Sequence, residues 1–305
     1  MKVIYSPNYN INAGVFGRFH PFDGMKYAKV VEEIRSLPGL LVQAPEGAVD
    51  KRQVEEFVGE ILMRLLSSKR YILRALELPY IPLLPFSLIE RRVLDPMRWA
   101  VSGTIMAARD ALGGANVWNL SGGYHHASRH AAEGFCVFND IGIAVQQLIG
   151  ERLLSPADRI LIVDVDAHHG NGNAYVFMED HRVEILDIYN NSIYPQNAFT
   201  KARVDINIPL TSRTGGDEYL SRLRSGLDEI REGYALAFVV AGTDVLSSDP
   251  LGGLDLSMQD CAHRDEMVLA KLAEIGTPAV FLGGGGYGRD SARAMANSIA
   301  ALYDR

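Results

Sequence analysis

Five short apolar runs, each stopped by a turn rich in glycine or aspartate, constrain this chain more than any other feature. They are ANVWNLSGG (115–123), ILIVDVD (160–166), VEILDIY (183–189), ALAFVVAGTD (235–244) and PAVFLGGGG (278–286). Between or after them lie FNDIGIAVQQLIG, GDEYLSRLRSGLDEIRE, DEMVLAKLAEIG and RDSARAMANSIAALY, whose apolar residues recur every three or four positions, the helical period. Strands apolar on both faces that alternate with helices predict an α/β fold, a mainly parallel sheet covered by helices on both sides. Such sheets bind ligands beyond the carboxyl ends of their strands, and the polar residues of this sequence sit at those ends. No internal repeat, low-complexity segment or polar linker interrupts the pattern, so residues 1–305 read as a single domain.

The opening hundred residues carry weaker signals. MKYAKVVEEIRSL and KRQVEEFVGEILMRLL read as helices, whereas ELPYIPLLPFSLIE (77–90) is apolar and rich in proline and reads as an irregular loop. That loop either packs on the body of its own domain or forms a wall of a substrate entrance. Composition narrows the partners. A formal net charge of −7 without a basic stretch argues against direct nucleic-acid binding. Two cysteines, Cys136 and Cys261, supply neither a disulfide framework nor a thiolate zinc finger. The N-terminus lacks the apolar core of a signal peptide, and no run approaches a bilayer span, so a cytoplasmic location is expected.

The chemistry collects at the strand ends. In an extended backbone alternate side chains lie roughly 6–7 Å apart on one face, so Asp166 and His168 can share one ion if the chain bends where the strand stops. Carboxylate oxygen and imidazole nitrogen both suit a divalent metal such as zinc, and a catalytic site takes three protein ligands plus an open position for water. Asp244, where another apolar strand stops at an acid, is the third. Taken alone, Asp244 reads equally as a helix cap or turn residue; the company of Asp166 and His168 favours the metal. His125 and His126 follow a Gly-Gly turn, and two adjacent imidazoles there are suited to accept a proton from water and return one to a leaving amine. Each needs an acceptor on its other nitrogen: Asp164 can serve one and Asn171 the other. FLGGGGYGRD (281–290) lacks both the Gly-x-Gly-x-x-Gly fingerprint with its acid and a Gly-Lys-Ser/Thr end. Its glycines instead let the backbone pass close to a site and carry Tyr287 to a developing oxyanion.

Together these residues resemble the zinc-dependent histone deacetylase family, of the arginase/deacetylase superfamily, from end to end. The motifs IYSPNYNI, FHPFDGMK, SGTIMAARD, VDAHHGNGN, DIYNNSIYP, AGTDVLSSDPLGGL and GGGGYG look closest to its class IV branch, with EGFCVFND completing the set. The resemblance implies a three-layer fold with about eight strands and one zinc ion per chain on Asp166, His168 and Asp244. It implies that His125, paired with Asp164, and His126, paired with Asn171, flank the attacking water, and that Tyr287 polarises the carbonyl. Phe135 and Tyr194 would line the acyl channel, and the Gly134 carbonyl would accept the substrate amide hydrogen. A structural monovalent cation, potassium, is implied near Asp164, Asp166, His168 and Asp187. Two positions depart from many relatives: Asn171 stands where class I members carry Asp, as in classes II and IV, and Tyr124 replaces a glycine and would narrow the pocket. His169 is expected to be supporting or structural, and Cys136 a wall residue rather than a nucleophile, since no base adjoins it.

The implied activity is hydrolysis of an N-acyl amide of the acyl-lysine type, with water activated at the ion, the histidines moving protons and the tyrosine steadying the oxyanion. An arginase-like two-metal ureohydrolase is the second reading, but it needs paired acids at both metal-bearing loops, and TDVL after Asp244 has only one. A catalytically weak acyl-ligand binder or scaffold is the third. Acylated protein, acetylpolyamine and small-metabolite amides are all open as substrates, as is the oligomeric state; the apolar loop 77–90 favours an apolar acyl group or a hydrophobic partner over a polycation.

Overall fold

A computed structural model describes residues 1–11 and 21–303; Phe19 and His20 of the FHPFDGMK motif lie outside the described residues. Eight strands form one all-parallel sheet: β1 Lys2–Ile4, β2 Leu41–Gln43, β3 Val117–Asn119, β4 Ile160–Asp164, β5 Val183–Asn190, β6 Ile206–Leu210, β7 Leu236–Val240 and β8 Ala279–Leu282. Their order across the sheet is β2-β1-β3-β8-β7-β4-β5-β6. Every residue of β3, β4, β7 and β8 is buried. Both faces are therefore covered, as the uninterrupted apolar runs predicted.

The edges look different. β2 is largely exposed, and β6 alternates buried and exposed positions with Pro209 among the exposed ones. Proline donates nothing to a ladder, so it is tolerated on an edge strand and excluded from a central one.

The helices are α1 Lys26–Ile34, α2 Lys51–Leu66, α3 Lys69–Ala75, α4 Phe86–Ile89, α5 Asp95–Leu112, α6 Asp140–Gly150, α7 Asn171–Val176, α8 Ala198–Lys201, α9 Gly216–Glu229, α10 Met258–Glu274 and α11 Ser291–Tyr303. They pack in two sets: α1, α11, α10 and α9 in sequence, and α2, α6 and α5. Caps fix several starts. Asp50 with Gln53, and Ser257 with Asp260, form capping boxes that open α2 and α10. The α2 segment is broken at Gly59, whose φ of 74° no helix contains.

The expected irregular segment 77–90 holds only as far as Pro85. Phe86 begins α4, which runs through a π-helical turn (Glu90–Leu94) directly into α5. Pro85 stands at the cap with a φ of −64° and gives up an N–H that a first turn leaves unbonded anyway, so it starts a helix rather than preventing one.

Candidate functional site

The register of the sheet assembles the site. β4 lies between β7 and β5, with Asp164 paired to Val240 on one side and Asp187 on the other. Beyond Asp164 the chain leaves the strand and bends. Asp166 and His168 leave it towards the turn after β7, which carries Asp244. One ligand atom from each of Asp166, His168 and Asp244 lies within 4.8 Å of the others, and all three residues are buried. His168 Nδ1 is 2.8 Å from Asp244 Oδ2 and 3.2 Å from Asp166 Oδ1.

Two carboxylates and one imidazole converging in a buried hollow suit a divalent ion such as zinc. The backbone around them leaves room for nothing larger than glycine: a Cβ on Gly285 would stand 2.4 Å from Asp244 Oδ2 and 2.8 Å from Asp166 Oδ2. The glycine run after β8 therefore serves close approach, and the Gly285 N–H donates to Asp166 Oδ2 at 2.7 Å.

Electrostatics express the same crowding. Burial and the neighbouring Asp166 push the Asp244 carboxyl up to about 7. Against its own burial, Asp166 is held low by His125 and His168. Burial alone would lower His168, but its bonds to both acids outweigh it and raise the imidazole to about 10. A proton shared by this cluster is what a cation displaces on binding.

The two tandem histidines meet different partners. His125 Nδ1 lies 2.8 Å from Asp164 Oδ2, and His126 Nδ1 lies 2.7 Å from Asn171 Oδ1. Burial alone would depress His125, but Asp164 and Asp166 lift it to about 9. His126 faces an amide instead; burial, then the charges of His125 and His168, hold it well below the ordinary imidazole range. One imidazole thus keeps its proton and the other stays free to take one.

Tyr287, Phe135 and Tyr194 stand around this pair. The Tyr287 ring centroid is 6.3 Å from His168 and 5.5 Å from Phe135, and Tyr194 is 5.1 Å from His126. Burial and then Asp244 and Asp166 keep the Tyr287 hydroxyl protonated far above neutral pH. Phe135 reaches its place through a two-residue hairpin. Glu133 and Cys136 exchange backbone bonds of 3.0 and 2.9 Å across Gly134 (φ 54°) and Phe135 (φ 64°), the geometry of a type I′ turn. A phenylalanine at positive φ is strained, and the Phe135 N–H is anchored on the Ala75 carbonyl at 3.0 Å. Gly134 admits no side chain, because a Cβ there would stand 2.4 Å from His126 Cδ2.

A cavity open to solvent leads from His125, His126, Phe135 and Tyr287 past Phe22, Tyr27, Leu76, Leu78, Val93 and Met97. Tyr124 and Cys136 are also in its wall, and burial raises the Cys136 thiol far beyond a thiolate's range. His169 lies outside the cavity, as expected of a structural residue: Nδ1 meets Asp187 Oδ2 at 2.6 Å and Nε2 meets Thr200 Oγ1 at 2.9 Å.

Four supporting residues escaped the sequence reading because their contacts span the fold. Buried Lys26 of α1 donates from Nζ to the Gly285 carbonyl at 2.8 Å. Asp249 accepts the N–H groups of Tyr287 and Gly288 at 2.7 and 2.9 Å. Arg264 of α10, wholly buried, donates from Nη1 to the carbonyls of Val165 (3.0 Å) and Gly242 (2.7 Å) and from Nε to Asp265 at 2.8 Å. Glu133 accepts from Asn171 Nδ2 at 2.6 Å. For Arg264 and Lys26, a charged residue at a buried helical position was the one available signal.

Comparison with known proteins agrees with this geometry. A profile of the histone deacetylase domain matches residues 20–303. "Histone deacetylase 2" of Arabidopsis thaliana is 34% identical over 306 residues, 99% of this chain and 78% of that protein. The acetoin utilization protein AcuC of Staphylococcus aureus is 30% identical over 205 residues, 62% of this chain but only 51% of its own length. In shape, the chain is similar to the crystal structure of an HDAC homologue complexed with SAHA, with a TM-score of 0.77 at 22% identity, covering 100% of this chain and 84% of the other. With the domain matched along nearly its whole length, the chain belongs to the histone deacetylase family, a family of deacetylase hydrolases.

Proposed function

We propose that residues 1–305 form a single deacylase domain that hydrolyses N-acyl amides of the acyl-lysine type with one zinc ion on Asp166, His168 and Asp244. The observation that carries the proposal is the convergence of those three ligand atoms beside two differently partnered imidazoles and Tyr287. When bound, zinc supplies Lewis acidity to the acyl carbonyl and to water. His126, donating through Nδ1 to Asn171, presents an unprotonated Nε2 that takes the proton of the attacking water. Charged His125, held by Asp164, faces the negative charge that develops. Tyr287 donates to the oxyanion, and the proton on His126 passes to the amine nitrogen as the C–N bond breaks, releasing carboxylate and amine. Phe135 and Tyr194 clasp the acyl-bearing chain, and the Gly134 carbonyl accepts the substrate amide hydrogen.

A monovalent cation, potassium, by Asp164, Asp166, His168 and Asp187 belongs to the same proposal. It is supported by the neighbouring carboxylates of β4 and β5 and by Asp187 Oδ1, a buried oxygen without a hydrogen-bond partner among the described residues. The arginase-like reading finds no support: among the described residues one three-ligand cluster occurs, and no second acid follows Asp244 at the Asp-x-Asp spacing.

Among the described residues no carboxylate lines the cavity, which favours a hydrocarbon acyl group on a protein or peptide lysine over an acetylpolyamine. Class IV membership fits the motifs. Cytoplasmic action fits the described helices, none of which is long and apolar enough to cross a membrane. A zinc-supplemented panel of acyl-lysine peptides and acylpolyamines tests the proposal. Longer acyl chains are expected to be released at least as well as acetyl, with His126→Ala and Tyr287→Phe each losing about 10²–10³-fold in kcat. An acetyl-only or polyamine preference overturns the substrate assignment, and metal-independent turnover overturns the chemistry.

A further inference from the structure

The two imidazoles differ in what lies behind them. His125 rests directly on a carboxylate, whereas His126 rests on an amide whose far end is held by a carboxylate of its own. Asn171, 3% exposed, turns Oδ1 to His126 Nδ1 at 2.7 Å and Nδ2 to Glu133 Oε1 at 2.6 Å. We propose that Glu133 is a positioning residue for the reaction: through Asn171 it sets the tautomer of His126, and from the same turn it registers the Gly134 carbonyl against that base. The inference rests on the deacylase reading above.

The argument turns on the amide's two ends. An asparagine can present either oxygen or NH2 to a neighbouring imidazole, and the two choices select opposite tautomers. The Glu133 carboxylate accepts from the NH2 end at 2.6 Å and so leaves Oδ1 for His126. His126 must then carry its proton on Nδ1, with Nε2 bare towards the cavity. A neutral or shorter side chain at 133 lets the amide flip, and a flipped amide donates to Nδ1 and places the proton on Nε2, where it is useless for accepting one from water.

Glu133 is also covalently next to Gly134. It begins the hairpin that aims Phe135 into the site, with its own backbone bonded to Cys136. Tyr194, whose ring lies 5.1 Å from that of His126, feels the Glu133 carboxylate as the leading charge that raises its hydroxyl after burial. One side chain thus ties the base, the turn that carries the substrate-facing carbonyl, and one aromatic of the channel.

Coupling between positions 133 and 171 follows. Asn171→Asp would place two carboxylates 2.6 Å apart, which cannot both ionise. Glu133→Gln on top of it restores a donor facing an acceptor and returns a carboxylate to His126.

The test compares Glu133→Ala, Glu133→Gln, Asn171→Asp and the Glu133→Gln/Asn171→Asp double variant of the full zinc-loaded chain. Losing a partner that orients an active-site group costs about 10–100-fold. Glu133→Ala is expected to lose that much in kcat with KM changed far less, and Glu133→Gln, whose oxygen can still accept from Asn171, to lose less. Asn171→Asp is expected to fall steeply and the double variant to recover most of that loss. Independently of turnover, ¹⁵N-histidine NMR should show His126 protonated on Nδ1 in the parent chain and a mixed tautomer in Glu133→Ala. An unchanged tautomer in Glu133→Ala, or a double variant no better than Asn171→Asp alone, overturns the assignment. If the parent chain itself releases no acyl group, the deacylase reading fails, and the tautomer measurement still decides the role of Glu133.

Discussion

Replacing Arg264 by leucine tests whether a buried cation beneath the site holds the turns bearing Asp166 and Asp244 together. The guanidinium reaches the carbonyls of Val165 and Gly242, one residue before Asp166 and two before Asp244, and pairs with Asp265, which is equally buried. Three charge-assisted bonds disappear in Arg264→Leu, worth about 1.5–3 kcal/mol each, and buried Asp265 loses its partner. These losses overlap, so the total sits in the range of about 3–5 kcal/mol known for breaking one side of a buried pair. Against a stability of about 5–15 kcal/mol, that is a large fraction, and at about 2–4 °C per kcal/mol it lowers Tm by about 6–20 °C.

Arg264 Nη2 and Asp265 Oδ2 have no partner among the described residues, so the pair is imperfectly satisfied. Arg264→Leu/Asp265→Leu is therefore expected to lose clearly less than the sum of the single variants. Calorimetry at fixed free zinc measures all three, and competition with a chelating dye measures zinc affinity, which should fall wherever the guanidinium is gone. A single variant melting within about 2 °C of the parent, or strict additivity in the double, would refute the reasoning.

Other outcomes follow from the same contacts. Gly134→Ala must fit a Cβ 2.4 Å from His126 Cδ2 at a φ of 54°, and steady-state assays should show kcat falling at least about tenfold while the thermal midpoint moves little. Chelation should lower Tm and zinc should restore it, by about 2.7 kcal/mol when free zinc is a hundredfold above Kd; Asp244→Ala should show no such zinc-dependent shift. Lys26→Met removes the donor to the Gly285 carbonyl and is expected to cut kcat by about 10–100-fold, with Lys26→Arg retaining more because it still donates there.

The central strands were readable because each is buried on both faces and ends in a polar turn. ILIVDVD and ALAFVVAGTD announced both a position in the sheet and the acids that lie beyond it. The edge elements were not: β1 and β2 are three residues long, too short to display a period, and β6 contains a proline that argues against a central strand. The helix α5 also hid itself. It buries Met97, Ala100, Val101, Ile105, Ala108 and others around most of its circumference, so no clean polar face marks it.

For the site, residue type and strand-end position pointed to Asp166, His168, Asp244, the histidine pair and Tyr287, and these residues lie together. Glu133, Lys26, Asp249 and Arg264 act across 22 to 259 positions of sequence. No local spacing encodes such meetings; only the strand order creates them.

That order also dictates when the site can exist. Asp166 and His168 leave the ribosome long before Asp244, yet they face it only once β7 has slotted in beside β4, and β8 must then arrive before the loop bearing Tyr287 closes over them. A nascent chain halted after β5 holds two of the three proposed ligands and cannot clamp an ion with them. Loading is thus a late checkpoint, and metal retained by a partly synthesised or C-terminally clipped chain would mark an assembly sequence different from the one this sheet imposes.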